Sequence, residues 1–249
     1  MPNTVVTLIP IYKATLDTLE QYSLDVSLNV MKGREVFFIG PHSLDLSLYS
    51  TRYPAIPFLG FDEASFASIP GYNRLLLNVE FYRRFEEYEF MLILQTDAIV
   101  LRDELDHWCA QPFDYVGAPW PDGVELFVNI GRFEGDRGRK VRAMVGNGGF
   151  SLRRVRKCIS LIQEFPEAVD YFNRSGSSED LFFSFMGPLS CDFVMPNEIT
   201  ASLFALELKP SSYYAMNGNR LPMGGHAWWK YEPGFWRSLL PDAPSVPAQ

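Results

Sequence analysis

Along the first half of the chain, short apolar runs alternate with stretches whose apolar positions recur every three or four residues. TVVTLI (4–9) is β-branched and apolar and stops at Pro10, which marks a short strand. TLDTLEQYSLDVSLNVM (15–31) spaces Leu16, Leu19, Tyr22 (or Ser23) and Val26 for a helix. EVFFIG (35–40) and the weaker AIPFLGF (55–61) read as two more strands. GYNRLLLNVEFYRRFEEYE (71–89) predicts one helix with Leu75, Val79, Tyr82 and Phe85 on one side. FMLILQTDAIV (90–100) predicts a strand buried on both faces. Strands alternating with helices predict an α/β fold with a mostly parallel central sheet flanked by helices.

Beyond residue 110 the rhythm changes. FDYVGAPW (113–120) and ELFVNI (125–130) read as short strands, and GNGGFSLRR (146–154) as a Gly-rich turn entering a strand. RRVRKCISLIQEF (153–165), SSEDLFFSFMG (177–187) and NEITASLFALEL (197–208) read as helices, the second capped by Ser177 or Ser178. The expected organisation is a single domain over 1–240. Its first part, 1–110, is a nucleotide-binding half; 111–240 builds a site against it; 241–249, rich in Pro and Ala, is a frayed tail.

Composition narrows the class. The chain has 249 residues, 47% hydrophobic and 21% charged, with a net charge of −8. That supports a sizeable core and argues against a general nucleic-acid binder, which needs a broad basic face. Cys109, Cys158 and Cys191 show no metal-ligand spacing and fit a reducing compartment. The N-terminal run has no basic stretch ahead of it, and no apolar run approaches the roughly 20 residues of a membrane span. The expectation is a cytoplasmic protein. Basic residues concentrate in 132–157. They form either a solvated loop and helix face, or a peripheral contact with an anionic membrane surface or a lipid-linked pyrophosphate.

Four stretches carry chemistry. Asp97 follows an apolar strand and so lies at its carboxyl end. Left unpaired there it is costly; it is either compensated by a metal ion or a cation, or it is a turn carboxylate. Gly146, Gly148 and Gly149 surround Asn147 and allow close approach to a ligand, or build a bulged hairpin. Glu179 and Asp180 open a helix, where the dipole keeps a carboxylate ionised; that suits a general base or a plain cap. His226 follows two glycines and precedes Trp228 and Trp229. Imidazole is a common metal ligand, and Trp228, Trp229 and Trp236 offer apolar faces to sugar rings or clamp the core. The clamp is the preferred reading for Trp229 and Trp236.

In this order, the stretches resemble the GT-A glycosyltransferases. QTD (95–97) matches the DxD element, GNGGF (146–150) the Gly-rich element, SED (178–180) the xED element and His226 the C-terminal histidine. The chain also looks like a bacterial branch of GT-A-like proteins bearing QTDAIV, DYVGAPW, GNGGFSLR, EDLFFS and GGHAWW. The resemblance covers roughly residues 4 to 237. It implies a GT-A-like fold and transfer of a sugar from a UDP-, GDP- or dTDP-sugar to a glycan, lipid-linked or other hydroxyl acceptor, with inversion, in polysaccharide or glycoconjugate synthesis. It implies Mn²⁺ or Mg²⁺ held by Asp97 and His226, and Asp180 as the acceptor's base with Glu179 on acceptor hydroxyls or capping. Pro10 and Tyr12 match the end of the first strand, where base and ribose lie. Gly148 and Gly149 match the donor-sugar pocket, and Thr96 and Asn147 lie within the same two elements. Tyr72, Arg74 and Gln95 complete the expected donor pocket, Arg74 as a phosphate partner at a helix start. Gln95 departs from the pattern by replacing the first Asp of DxD. Its amide bonds a ribose hydroxyl well but ligates metal poorly.

Two other classes compete. Another metal-dependent nucleotide-sugar enzyme, a hydrolase or a nucleotidyltransferase, is one. The segment IPIYKATLD (9–17) has one Lys and no Gly, which disfavours the nucleotidyltransferase. A non-catalytic carbohydrate-binding protein is the other; it has no need of a strand-end acid, a distant Glu-Asp pair and a His.

Overall fold

A computed structural model describes residues 5–128 and 139–245 of the chain. Its strands are β1 (Val5–Pro10), β2 (Glu35–Pro41), β3 (Phe58–Phe61), β4 (Phe90–Leu94), β5 (Ala98–Val100), β6 (Tyr115–Val116), β7 (Pro119–Val128), β8 (Arg139–Val145), β9 (Phe150–Arg154), β10 (Ala205–Leu206) and β11 (Gly224–His226). Six of them form the main sheet in the order β3-β2-β1-β4-β9-β6. Pairings β2–β3, β1–β2 and β1–β4 are parallel; β9 runs antiparallel to both β4 and β6. The α/β fold with a mostly parallel, helix-flanked sheet is therefore as the periodicity predicts. The sheet draws strands from both sides of residue 110.

Every residue of β4 is buried, because helices cover both faces of the sheet. Met91 and Ile93 pack with Leu76, Tyr82, Ile162 and Phe183 on one side. Phe90, Leu92 and Leu94 pack with Leu24, Tyr49, Trp108 and Phe204 on the other. This period-two division follows from the pleat.

Three elements differ from the sequence reading. The apolar run 90–100 is two strands in two sheets. The chain turns at Gln95–Asp97, with the Ala98 amide donating to the Gln95 carbonyl at 2.9 Å, and β5 then joins a small sheet β10-β11-β5. The helix expected over 71–89 is two, Ile69–Leu76 and Val79–Arg83. Asn78 ends the first register by accepting from the Glu80 amide, the usual work of an N-cap Asn. The helix expected over 197–208 stops at Phe204, and Ala205–Leu206 pair in parallel with Gly224–Gly225.

Further helices at Pro166–Ser175, Pro210–Met216 and Pro233–Leu239 were not expected. Each starts at a proline, whose fixed φ suits a first helical turn. Residues 129–130 of the expected strand 125–130, and 246–249 of the tail, lie outside the described residues. Cys109 and Cys158 are buried and Cys191 is exposed. Among the described residues no helix is long and apolar enough to cross a membrane.

Candidate active site

Two pairings assemble the site. The antiparallel β4–β9 ladder sets Leu94 opposite Phe150, so the Gly-rich loop 146–149 lies beside the turn at Gln95. The Gln95 amide donates to the Gly149 carbonyl at 2.8 Å. The antiparallel β5–β11 ladder sets Ala98 opposite His226, which brings a residue distant in sequence against Asp97. The Ala227 amide closes the junction by donating to the Asp97 carbonyl at 2.9 Å.

These junctions open onto a cleft of about 880 Å³ beyond the carboxyl ends of β1 and β4, the usual ligand position in open α/β sheets. Pro10, Tyr12, Tyr72, Gln95, Thr96, Asp97, Asn147, Gly148, Gly149, Glu179, Asp180 and His226 all line it. Arg74 does not. It points away from the cleft as an exposed residue, and its neighbours Tyr72 and Asn73 face the cleft instead. The helical turn that carries Tyr72 inward carries Arg74 outward, since two residues turn a helix by about 200°.

Asp97 and His226 form the centre. His226 Nε2 lies 3.1 Å from Asp97 Oδ1, and His226 Nδ1 lies 3.1 Å from Glu207 Oε1. Lys230 donates to Asp97 Oδ2 at 2.7 Å. Burial alone would raise the Asp97 carboxyl, but His226 and Lys230 outweigh it and hold the group well below the usual carboxylate range. Burial would lower the imidazole; the two flanking carboxylates outweigh that and lift it from 6.5 to about 10.

A pH effect follows from this lift. Below pH 6.5 the imidazole is protonated whether the chain is folded or not, and its ion pairs stabilise fully. Above 6.5 only the folded form keeps the proton, so this stabilisation falls with rising pH and is gone past about 10. The urea midpoint of the wild type should decline across that window more steeply than that of His226→Asn. Equal slopes would remove the imidazolium from the account.

The two glycines after Asn147 have specific causes. A Cβ on Gly149 would come closer to His226 Nε2 and Gln95 Oε1 than the 3.0 Å that real Cβ atoms keep, and one on Gly148 would do the same to Glu179 Oε1. Asn147 takes a left-handed backbone, φ 65, which Asn tolerates. Its side chain accepts from the Gly149 amide at 3.1 Å and donates to Glu207. The loop is thus a close approach of backbone to side chains rather than a bulged hairpin.

Asp180 fastens the same loop. Its Oδ2 accepts from the Asn147 amide at 3.0 Å and the Gly148 amide at 3.3 Å. Its Oδ1 accepts from the Leu181 amide at 2.7 Å and from the Ser178 hydroxyl. Ser178 stands at the N-cap of the helix Glu179–Met186, yet makes no side-chain bond to the helix backbone; its hydroxyl serves Asp180 instead.

Glu179 is neither a cap nor exposed. It accepts from Arg153 Nη2 at 2.6 Å, with side chains 3% and 0% exposed. Burial raises the Glu179 carboxyl and Arg153 opposes that rise. Arg153 also donates to Tyr82 Oη at 2.9 Å and to Ser151 Oγ at 3.0 Å. This arginine, part of the basic stretch 132–157, is therefore a core residue. Arg154, Lys157 and Lys140 of that stretch pair with Glu89, Asp192 and Glu125, and 132–138 lie outside the described residues.

The sequence reading missed Lys13, Glu20, Trp120, Glu207 and Lys230, all of which line the cleft. Glu20 is buried and accepts from Lys13 at 2.7 Å and from Thr96 Oγ1 at 3.0 Å. Glu207 follows β10 as Asp97 follows β4, a signal hidden by reading 197–208 as one helix. Trp228 is buried and donates to Ser23 Oγ at 2.8 Å. Trp229 packs against the same buried cluster, as expected, and also lines the cleft. Trp236 is fully buried, as expected.

The expected metal ligands meet, but the set does not suit a divalent ion. Asp97 and Glu207 sit on opposite nitrogens of His226, and among the described residues no three His, Cys, Asp or Glu side chains are arranged to hold a metal ion. Gln95 contributes a neutral amide oxygen, and one oxygen of Asp97 is taken by an ammonium group.

Comparison with known proteins agrees with the fold. The family model described as protein of unknown function (DUF5672) matches residues 55–226. No curated protein matches in sequence. Among solved structures, a galactosyltransferase LgtC in complex with donor and acceptor sugar analogs is similar at TM-score 0.55 and 14% identity, over 97% of each chain. The WbbM bifunctional glycosyltransferase in its apo form is similar at TM-score 0.52 and 11% identity, over 99% of this chain and 50% of that one. At these identities the likeness concerns the fold, which is that of the GT-A glycosyltransferases.

Proposed function

This chain belongs to the family described as protein of unknown function (DUF5672), and from its GT-A fold and its cleft we propose that it is a glycosyltransferase. The donor is a UDP-, GDP- or dTDP-sugar, and the acceptor is a hydroxyl of a glycan or of a lipid-linked carrier. The observation that carries this reading is convergence. Four stretches separated along the chain, 95–97, 147–149, 179–180 and 226, line one cleft at the carboxyl ends of the parallel strands.

The roles follow the geometry. Pro10, Tyr12 and Thr96 lie where a nucleoside would enter from the end of β1, and Gln95 offers its amide to a ribose hydroxyl. Gly148 and Gly149 line the cleft, and the donor sugar is taken to lie against them. Trp229 and Trp120 offer apolar faces to sugar rings. As the acceptor oxygen bonds to the anomeric carbon, the bond to the diphosphate breaks and the acceptor's proton needs a base. Asp180 is the proposed base, with inversion as the outcome. All its acceptor positions are engaged, and the Ser178 hydroxyl is the one donor that can rotate away to free an oxygen.

Asp180→Asn separates the two things this carboxylate does. Loss of transfer by roughly a hundredfold with nucleotide binding intact marks the base; loss of both marks only the fastening of the loop. The test of the function is incubation with labelled UDP-, GDP- and dTDP-sugars and a panel of hydroxyl acceptors. The expected result is label on an acceptor with inverted anomeric configuration. Free sugar released at one rate with and without acceptor would make the protein a hydrolase, and a retained configuration would remove Asp180 from the proton step.

A further inference from the structure

We propose that the cleft binds its nucleoside diphosphate without a divalent metal, the Lys230 ammonium supplying the positive charge at Asp97 that a metal ion would otherwise supply. The inference rests on the nucleotide-sugar reading above and specifies how that site meets a diphosphate.

Three geometric facts carry it. Lys230 Nζ sits 2.7 Å from Asp97 Oδ2 while the side chain remains half exposed, so a cation already rests on the strand-end carboxylate and faces the cleft. The other Asp97 oxygen is turned to His226 Nε2, and that nitrogen also lies 3.3 Å from Gln95 Oε1. The nitrogen that would ligate a metal is therefore placed between two oxygen acceptors. The first position of the QTD triplet is the amide Gln95, and the nearby carboxylate of Glu207 lies on the opposite ring nitrogen of His226, so among the described residues no three such side chains are arranged to hold a metal ion.

The cleft does hold a second cation. Among the described residues that line it, Lys13 and Lys230 are the lysines and none is an arginine. Lys13 Nζ rests on buried Glu20 and is 44% exposed on its side chain. Each ammonium keeps donors beyond the one its carboxylate occupies, since the group carries three. Charge-assisted bonds from such donors to phosphate oxygens are strong. Asp97 and Glu20 then hold two flexible lysines in place for the ligand, so less side-chain freedom is lost when it binds.

Calorimetric titration of the whole chain with UDP, GDP and dTDP, each with EDTA and each with excess Mn²⁺ or Mg²⁺, tests this. The expected result is binding of at least one of them with the same affinity in both conditions. Lys230→Ala should weaken that metal-free binding roughly tenfold to a hundredfold, the scale of one charge-assisted hydrogen bond, and Lys230→Arg should restore most of it. Half exposed, Lys230 can be changed without opening the core. Binding that needs the metal would overturn the inference and leave the nucleotide-sugar reading standing. Metal-free binding indifferent to Lys230→Ala would overturn the role of Lys230. No binding of any nucleotide in either condition would overturn the nucleotide-sugar reading, and the inference with it.

Discussion

Arg153→Met is expected to lower the melting temperature by roughly 10 °C. The change leaves Glu179 buried with no counter-ion beneath Gly148. Breaking one side of a buried ion pair costs about 3–5 kcal/mol, and a domain of this size loses about 2–4 °C per kcal/mol. Arg153 also lies over the rings of Tyr115 and Phe183, 5.2 and 5.3 Å from their centroids, contacts that methionine keeps only as packing. The double change Arg153→Met, Glu179→Leu should recover part of the loss, because no charge then stays buried alone. A single variant that melts like the wild type would show that the pair is solvated and that Glu179 is not fixed under the loop.

Gly149→Ala is expected to remove transfer and nucleotide binding by about a hundredfold or more while leaving the fold in place. The added methyl meets His226 and Gln95 side-chain atoms at once. These must shift away from Asp97, and displacement of a binding group by about 1 Å can cost a hundredfold. Gly234→Ala is the control: a Cβ there meets nothing within 4 Å, so both properties should be unchanged. Normal activity in Gly149→Ala would place the ligand away from this corner of the cleft.

What the chain reveals before folding depends on how local the cause is. β1, β2 and β4 were legible as short apolar runs, most plainly β4, which is buried at every position and apolar throughout. The close approach of backbone at 146–149 was legible because glycine is the one residue without a Cβ. The switch of sheets at Gln95–Asp97 was not, since the apolar run resumes at Ala98 as if the strand continued. Arg153 read as a surface charge because its partner, Glu179, comes from a helix distant in the sequence from β9. Arg74 read as a site residue because proximity in sequence to Tyr72 says nothing about which way a helix turns. Lys230 sits four positions after His226, but its place on Asp97 depends on the β5–β11 pairing, which no single segment encodes.

The most direct measurement is a crystal structure of the protein with whichever nucleoside diphosphate binds. The account predicts the nucleoside beside Pro10, Tyr12 and Gln95, and the diphosphate within hydrogen-bond distance of Lys230, between Asp97 and the loop 147–149. A nucleotide bound elsewhere on the molecule, or seated in the cleft with its phosphates turned away from Asp97 and Lys230, would contradict it.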